Sequence, residues 1–394
     1  MYLHWIWYAL LPGMTLRKKA QLLQYFSSPE DIFHASKATL EQTGFLQKEE
    51  LEALANKELT QAKQIEKTCE KMGVSVLPYG LPQYPARLRN LPDAPMVLYC
   101  SGKLPDLQAQ PVVGVVGTRK ATGYGISTAE LLAAQITSCG GLVVSGAAAG
   151  IDAAAMNGAM DAGGSSVGVL GCGVDVVYPA SNRELYKRTR EHGCLLSEYP
   201  PGTKPDRWHF PQRNRIISGI ANAVLVIEAP ESSGALITAR QALEQGKDVF
   251  CVPGNIDNKN CTGSNALLRE GAAIACSGWD ILQNYQHYAG VAQREPVLPE
   301  KENNIATQEE ADKKSVDNKE TTPYSVQQEE ISGLSEQEME IFQSLSLQPR
   351  PIDEVIAQIG ETSGKVLSIL TRLSLQGIVQ LHPGRMVSAK TQKH

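Results

Sequence analysis

Six apolar runs, separated by amphipathic stretches between residues 112 and 252, constrain this chain more than any other feature. Val112-Val113-Gly114-Val115-Val116 is apolar throughout, as a parallel strand covered on both faces requires. Ala129, Leu132, Ala133 and Ile136 follow at i, i+3, i+4 and i+7, the spacing of a helix that buries one stripe. Further strands are predicted at 142–145, 167–170, 195–197, 223–227 and 249–252, with helices near 152–162, 181–191, 212–221 and 235–245 between them. Strictly alternating strands and helices form an α/β fold. The one expected here is an extended Rossmann-like, doubly wound parallel sheet.

The flanks differ. Residues 12–72 carry the periodicity of short helices, and the proline-broken stretch from Gly80 to Pro95 reads as an extended strap laid on a neighbouring domain. Residues 295–330 are rich in Glu, Lys, Gln and Asn and nearly free of large apolar side chains, the composition of a disordered linker. Periodicity returns in Ile352, Val355, Ile356 and Ile359, and again in Val366, Ile369, Leu370 and Leu373. Two short strands follow near 377–381 and 385–387, which completes a winged-helix pattern. The expected domains are an N-terminal helical domain at 1–78, of the SAM or helix-hairpin-helix kind, and a Rossmann-like domain at 79–285. An acidic linker at 286–332 and a C-terminal winged-helix domain at 333–394 complete the chain.

Taken alone, the formal net charge of −5 argues against an anionic partner. Its distribution does not: residues 295–340 alone hold 13 acidic and 4 basic groups, and the rest is close to neutral. A local basic patch can therefore dominate a binding face. The eight cysteines form no CxxC pair, and several sit inside apolar runs such as Val249-Phe250-Cys251-Val252, as reduced thiols do in a cytoplasmic protein. No stretch of 18 apolar residues is free of charge, so no membrane span is expected. The apolar opening at Leu3–Leu11 lacks a basic start and reads as a first helix rather than a signal peptide.

Ligands of open α/β sheets gather beyond the carboxyl ends of the strands. There this sequence places Gly117-Thr118-Arg119, Ser145-Gly146-Ala147-Ala148-Ala149-Gly150-Ile151-Asp152, Gly171-Cys172-Gly173 and Ser232-Ser233-Gly234-Ala235. Glycine permits close backbone approach and helix N-termini offer free N–H groups, so together these loops can cradle an anion. Taken singly, each glycine could equally serve a tight turn. GxxxxGK[ST] and GxGxxG are both absent, which removes the ATPase and dinucleotide fingerprints. No cofactor or metal site is expected.

The sharpest local signal is Phe210-Pro211-Gln212-Arg213-Asn214-Arg215. Proline suits a first helical turn. Two arginines there oppose the helix dipole at about 0.3–1 kcal/mol each, a cost that a nearby phosphate offsets. Residues 213 and 215 stand ~200° apart on a helix, so one faces a ligand and the other a salt bridge within the fold. Arg119, Arg207, Trp208 and His209 extend a basic and aromatic cluster of the kind single-stranded nucleic acid requires. A catalytic pair of Cys172 and His209 lacks any spacing that joins them. Asp152 reads as a helix-start residue, and Glu228 and Glu231 as capping or surface carboxylates.

In order along the chain stand Val115-Val116-Gly117-Thr118-Arg119, Ser145–Asp152, Gly171–Pro179, Phe210–Gly219, Ser233–Thr238 and Val252–Asn255. This series resembles the bacterial DNA-processing family DprA, also called Smf, strongly over about 80–282. The resemblance implies a non-enzymatic protein that binds single-stranded DNA without sequence preference. It also implies protection of incoming DNA during natural transformation, loading of the recombinase RecA, and homodimers formed through the Rossmann-like domain. The DNA-binding set it implies is Gly117, Thr118, Arg119, Ser145, Gly146, Arg207, Phe210, Arg213, Asn214 and Arg215. Thr118 stands where the family usually has serine, and Arg207 where it often has lysine. An alternative on the same architecture is similarity to nucleotide-processing phosphoribohydrolases. Against it, Ser232–Arg240 lacks the catalytic glutamate of their Gly-Gly-x-Gly-Thr-x-x-Glu motif. A regulator acting through the winged-helix tail is a third reading, although its helix near 363–376 offers only Lys365 and Arg372 as basic groups.

Overall fold

The computed structural model describes residues 2–294, 336–345, 350–359, 362–375, 378–382 and 386–389. Two compact units contain them, Met1–Asn304 and Ile305–His394. The linker expected at 295–330 lies outside the described residues.

The first unit is built on nine strands: β1 (Ser75–Pro78), β2 (Val97–Gly102), β3 (Val112–Val116), β4 (Leu142–Ser145), β5 (Ser166–Leu170), β6 (Cys194–Ser197), β7 (Ala223–Val226), β8 (Asp248–Cys251) and β9 (Ala273–Ile274). Their order across the sheet is β1-β2-β6-β5-β4-β3-β7-β8-β9. Every pairing from β6 through β3 to β9 is parallel, while β1 and β2 are antiparallel additions at one edge. The chain winds outward from β3 to β6, then crosses back to place β7 on the other side of β3. The ends of β3 and β7 are therefore the topological switch point, where such sheets bind ligands.

Alternate residues of each strand feed the two faces. Val112, Val116, Val144, Val169, Val224 and Val226 enter one core. Val113, Val115, Val143, Ala223 and Leu225 enter the other, beneath helices Gly123–Ser138 and Ile151–Asp161. This double coverage explains why the six expected strands read as unbroken apolar runs. The three strands of this sheet not anticipated are β1 at one edge, the antiparallel β2 beside it, and β9 at the other edge. The first two alternate or mix polar residues and end near proline or glycine, and β9 has only two residues.

The strap expected to be extended at 80–95 is instead a chain of tight turns around a short helix, Ala86–Arg89. Backbone bonds run from Tyr84 N–H to Leu81 O, Leu88 to Pro85 and Leu91 to Leu88. Pro82 takes the second position of the first turn and Pro85 opens the next, and spacings of four and three residues bury Tyr84, Leu88 and Leu91 together. Residues 286–294, assigned above to the linker, pack on the sheet unit: the Tyr288 hydroxyl accepts from Arg87 at 2.8 Å and from Asn222 at 3.2 Å.

Six helices between Leu3 and Met72 share a core with Val76, Val97 and Tyr99, so the N-terminal helices close over the β1–β2 edge. In the second unit, helices Glu336–Gln343, Ile352–Ile359 and Ser363–Leu375 enclose Ile341, Val355, Val366, Leu370 and Leu373. A three-stranded sheet of β10 (Arg350–Pro351), β11 (Val379–His382) and β12 (Met386–Ala389) completes a winged helix, with β12 between the other two.

Candidate nucleic-acid interface

An open cleft of about 560 Å³ lies at the switch point, beyond the carboxyl ends of β3 and β7. Of the residues singled out from sequence, Gly117, Thr118, Arg119, Arg207, Phe210, Arg213 and Asn214 line it. Gly146 lines an adjoining recess of about 100 Å³ that shares Arg119, Phe210 and Arg213. Ser145 and Arg215 line neither. Ser145 is fully buried, and its hydroxyl donates to Val115 O at 2.6 Å, which ties β4 to β3. Arg215 points away from the cleft into an ion pair with Glu198 and lies 3.5 Å from Asp93.

The cleft is held from beneath by two buried groups. Arg213 is buried on helix His209–Ile220, and its Nη1 donates to Gly146 O at 2.6 Å and to Val169 O. A Cβ on residue 146 would stand 2.5 Å from this guanidinium, so glycine there makes room for Arg213. Asp152 opens helix Ile151–Asp161 and accepts from Ala148 N–H at 3.4 Å, in the helix-start role expected of it. Burial raises its pKa, against the pull of Arg213 and Arg119 and of the backbone N–H groups it faces. Burial likewise lowers the pKa of Arg213, and Asp152 opposes that shift. Gly117 is needed for packing: a Cβ there would meet Ile151 at 2.5 Å.

At the mouth the groups are exposed. The Arg119 guanidinium lies over the Phe210 ring at 5.0 Å, and no carboxylate among the described residues forms an ion pair with it. Tyr178 packs on Phe210 with centroids 5.5 Å apart and is itself 41% exposed. Arg207 lies over Trp208 at 4.9 Å, and Trp208 is 64% exposed. Helix Gly234–Glu244 points its N-terminus at the cleft, with Ser233 capping Ala235 N–H at 3.2 Å. A helix start, two arginines and exposed rings converge, which suits a phosphate chain carrying stackable bases.

Two groups weighed for catalysis from the sequence, Glu228 and Cys172, have defined surroundings. Glu228 is fully buried and accepts from Thr122 N–H at 2.9 Å and Thr122 Oγ1 at 2.6 Å, so it latches the loop that carries Arg119. Burial pushes the Cys172 thiol up to about 11, opposite to what a nucleophile needs. Tyr178 was not singled out as a binding residue. Its signal was available, because it follows the glycine loop after β5 at the same sheet edge. No described helix is long and apolar enough to cross a membrane.

Fold and site define a doubly wound α/β protein with an open, arginine-lined cleft at its switch point and a separate winged helix. The family model for DNA recombination-mediator protein A matches residues 75–286, and that for the DprA winged helix domain matches residues 327–385. The chain belongs to the DprA/Smf family of DNA recombination mediators. It is 41% identical to the DNA processing protein DprA of Bacillus subtilis over 213 residues, 54% of this chain and 72% of that one. It is 32% identical to Protein Smf of Escherichia coli K12 over 315 residues, 79% of this chain and 76% of that one. The X-ray structure of DprA from Streptococcus pneumoniae superposes with a TM-score of 0.63 at 32% identity, covering 71% of this chain and 97% of the other.

Proposed function

We propose that the cleft binds single-stranded DNA without sequence preference. The observation that carries this reading is Arg119: it is exposed at the mouth, lies over Phe210, forms no ion pair among the described residues, and lines the cleft with the buried Arg213. Phosphates meet the arginines and the helix start, while bases meet Tyr178, Phe210 and Trp208. Duplex bases have no free faces to offer those rings. The protein is a mediator and not a phosphoribohydrolase, because Glu228 is buried on Thr122 and the stretch Ser232–Arg240 carries no carboxylate.

By the same family reading the protein protects incoming DNA during natural transformation in the cytoplasm and loads RecA. It forms a homodimer through the Rossmann-like domain. The open β9 edge, where Ile274 is 60% exposed, supports that contact. The binding reading is tested by titrating labelled homopolymer single strands and a duplex over a salt series. Each phosphate neutralised in a single strand adds about 0.7 to the negative slope of log K against log salt, so three to five contacts give roughly −2 to −4. Equal affinity for duplex, or a slope near zero, would contradict it.

A further inference from the structure

Helix His209–Ile220 presents Phe210 and Arg213 to the cleft and Arg215 to the interior behind it. Arg215 is only 6% exposed. Its Nη2 donates to Glu198 Oε2, the residue that follows β6, and its Nε lies 3.5 Å from Asp93 Oδ2. Asp93 is brought there by the turns at 88–91, whose Leu88 and Leu91 press on the same helix at Gly219, where a Cβ would come within 2.7 Å of both. The backbone carbonyl of Arg215 also accepts from Gln245 Nε2 at 3.3 Å.

This cluster is poorly arranged for stability. Glu198 Oε1 and Arg215 Nη1 are buried without hydrogen-bond partners, as are Gln241 Oε1 and Gln245 Oε1. Buried ion pairs lose much of their Coulomb gain to desolvation, and half-satisfied ones contribute least. The arrangement does fix direction. Two separate elements grip the side chain and a third holds its backbone carbonyl, and the helix that carries them cannot rotate without breaking those contacts. On its opposite side, Arg213 Nη1 reaches Gly146 O and Val169 O only at one rotation of the same helix.

We propose that Arg215, Glu198 and Asp93 form a positioning network that sets the rotation of helix His209–Ile220, and so the aim of Arg213 and Phe210, while Arg215 itself touches no DNA. The assignment rests on the reading that the cleft binds single-stranded DNA. It separates the two arginines of the motif into one that faces the strand and one that aims it.

The opposite role makes predictions of opposite sign. If Arg215 contacted phosphate, Glu198 would compete with the strand, and Glu198→Gln would tighten binding. As a positioning residue, Glu198→Gln weakens binding to a thymidine homopolymer about three- to thirty-fold at an unchanged salt slope. Arg215→Met does the same, whereas loss of a phosphate contact would shrink the slope by about 0.7. In a Phe210→Ala background the effect of Glu198→Gln falls below its effect in the wild type, because both act through the same helix face. A general loss of folding would add instead. The experiment is anisotropy titration over a salt series with a thermal melt of each variant. Should Glu198→Gln melt near the working temperature, Asp93→Asn, at the more exposed end, carries the test with the same expected sign. Unchanged or tighter binding with Glu198→Gln, or a reduced slope with Arg215→Met, overturns the network while leaving the cleft in place. A wild type that binds no single strand contradicts the cleft reading and this assignment with it.

Discussion

Arg213 and Arg119 divide one task. Arg213 is buried and fixed by carbonyls, so it supplies a positive floor that needs no ordering on binding. Arg119 is exposed and lies over the Phe210 ring, and on the proposed reading it meets the strand from the solvent side. Gly146 is where this division is most sensitive. Gly146→Ala drives a methyl into the Arg213 guanidinium, the far end of a long side chain, which must shift against its carbonyl partners. The fold should tolerate it, with Tm lowered by only a few degrees, about 1 kcal/mol in a domain of this size. Affinity for single strands should fall about tenfold, read by titration beside the melt. Lys19 offers a second check, far from the cleft. It is buried, and its Nζ donates to Ala9 O at 2.8 Å and Leu11 O at 3.1 Å, capping helix Leu3–Leu10. Burial lowers its pKa to about 8, below its ordinary value near 10.5. The unfolded chain therefore holds this proton over the interval where the folded one has released it. The cost of burying the charge is full below pH 8 and fades as pH rises toward 10.5, by up to about 3 kcal/mol. Relative to Lys19→Met, wild-type stability in denaturant melts should rise over that interval. A gap that is constant with pH would show that the carbonyls hold the charged form.

Among the elements, the loop from β3 to helix Gly123–Ser138 depends on Glu228 at the end of β7. Its carboxylate takes the backbone and hydroxyl of Thr122, and Thr118 N–H donates to its backbone carbonyl at 2.6 Å. Glu228→Ala leaves Thr122 N–H without its partner. It should cost about 3 kcal/mol, the scale of two hydrogen bonds to a charged group, read as a shift in denaturant midpoint. Single-strand binding should weaken with it, because Arg119 rides on that loop. The parallel strands were legible because burial on both faces leaves no polar position to blur them. The antiparallel strands β1 and β2 were not, since Pro78 closes β1 at the sheet edge and polar Ser101 with Gly102 interrupts the apolar run of β2. Helix His209–Ile220 begins earlier than its periodicity indicates, because Pro211 occupies its first turn.

At the scale of the whole molecule, the described residues that line the cleft all lie within Met1–Asn304. A chain ended at residue 304 should bind single-stranded homopolymer within about threefold of the full chain, at the same salt slope. A large loss would place part of the binding face on the winged helix. The loops that form the cleft were readable from the sequence because the sheet rule sends them all to one edge. The orientation of the two motif arginines was not. Helical geometry separates Arg213 from Arg215, but which of them lines the cleft depends on the partners at Glu198 and Asp93, distant in sequence. Ser145 was misplaced for a related reason: at the last position of β4 its hydroxyl turns inward to Val115 O rather than outward to the cleft.

The most direct test is the Arg119→Ala variant, titrated with a fluorescent homopolymer at several salt concentrations beside a thermal melt. The loss of one charged hydrogen-bonding partner, about 1.5–3 kcal/mol, predicts ten- to a hundred-fold weaker binding. It also predicts a salt slope smaller by about 0.7 and an unchanged melt, with Arg119→Lys recovering part of the affinity. Affinity equal to wild type, or a melt lowered enough to account for the loss, would contradict the account.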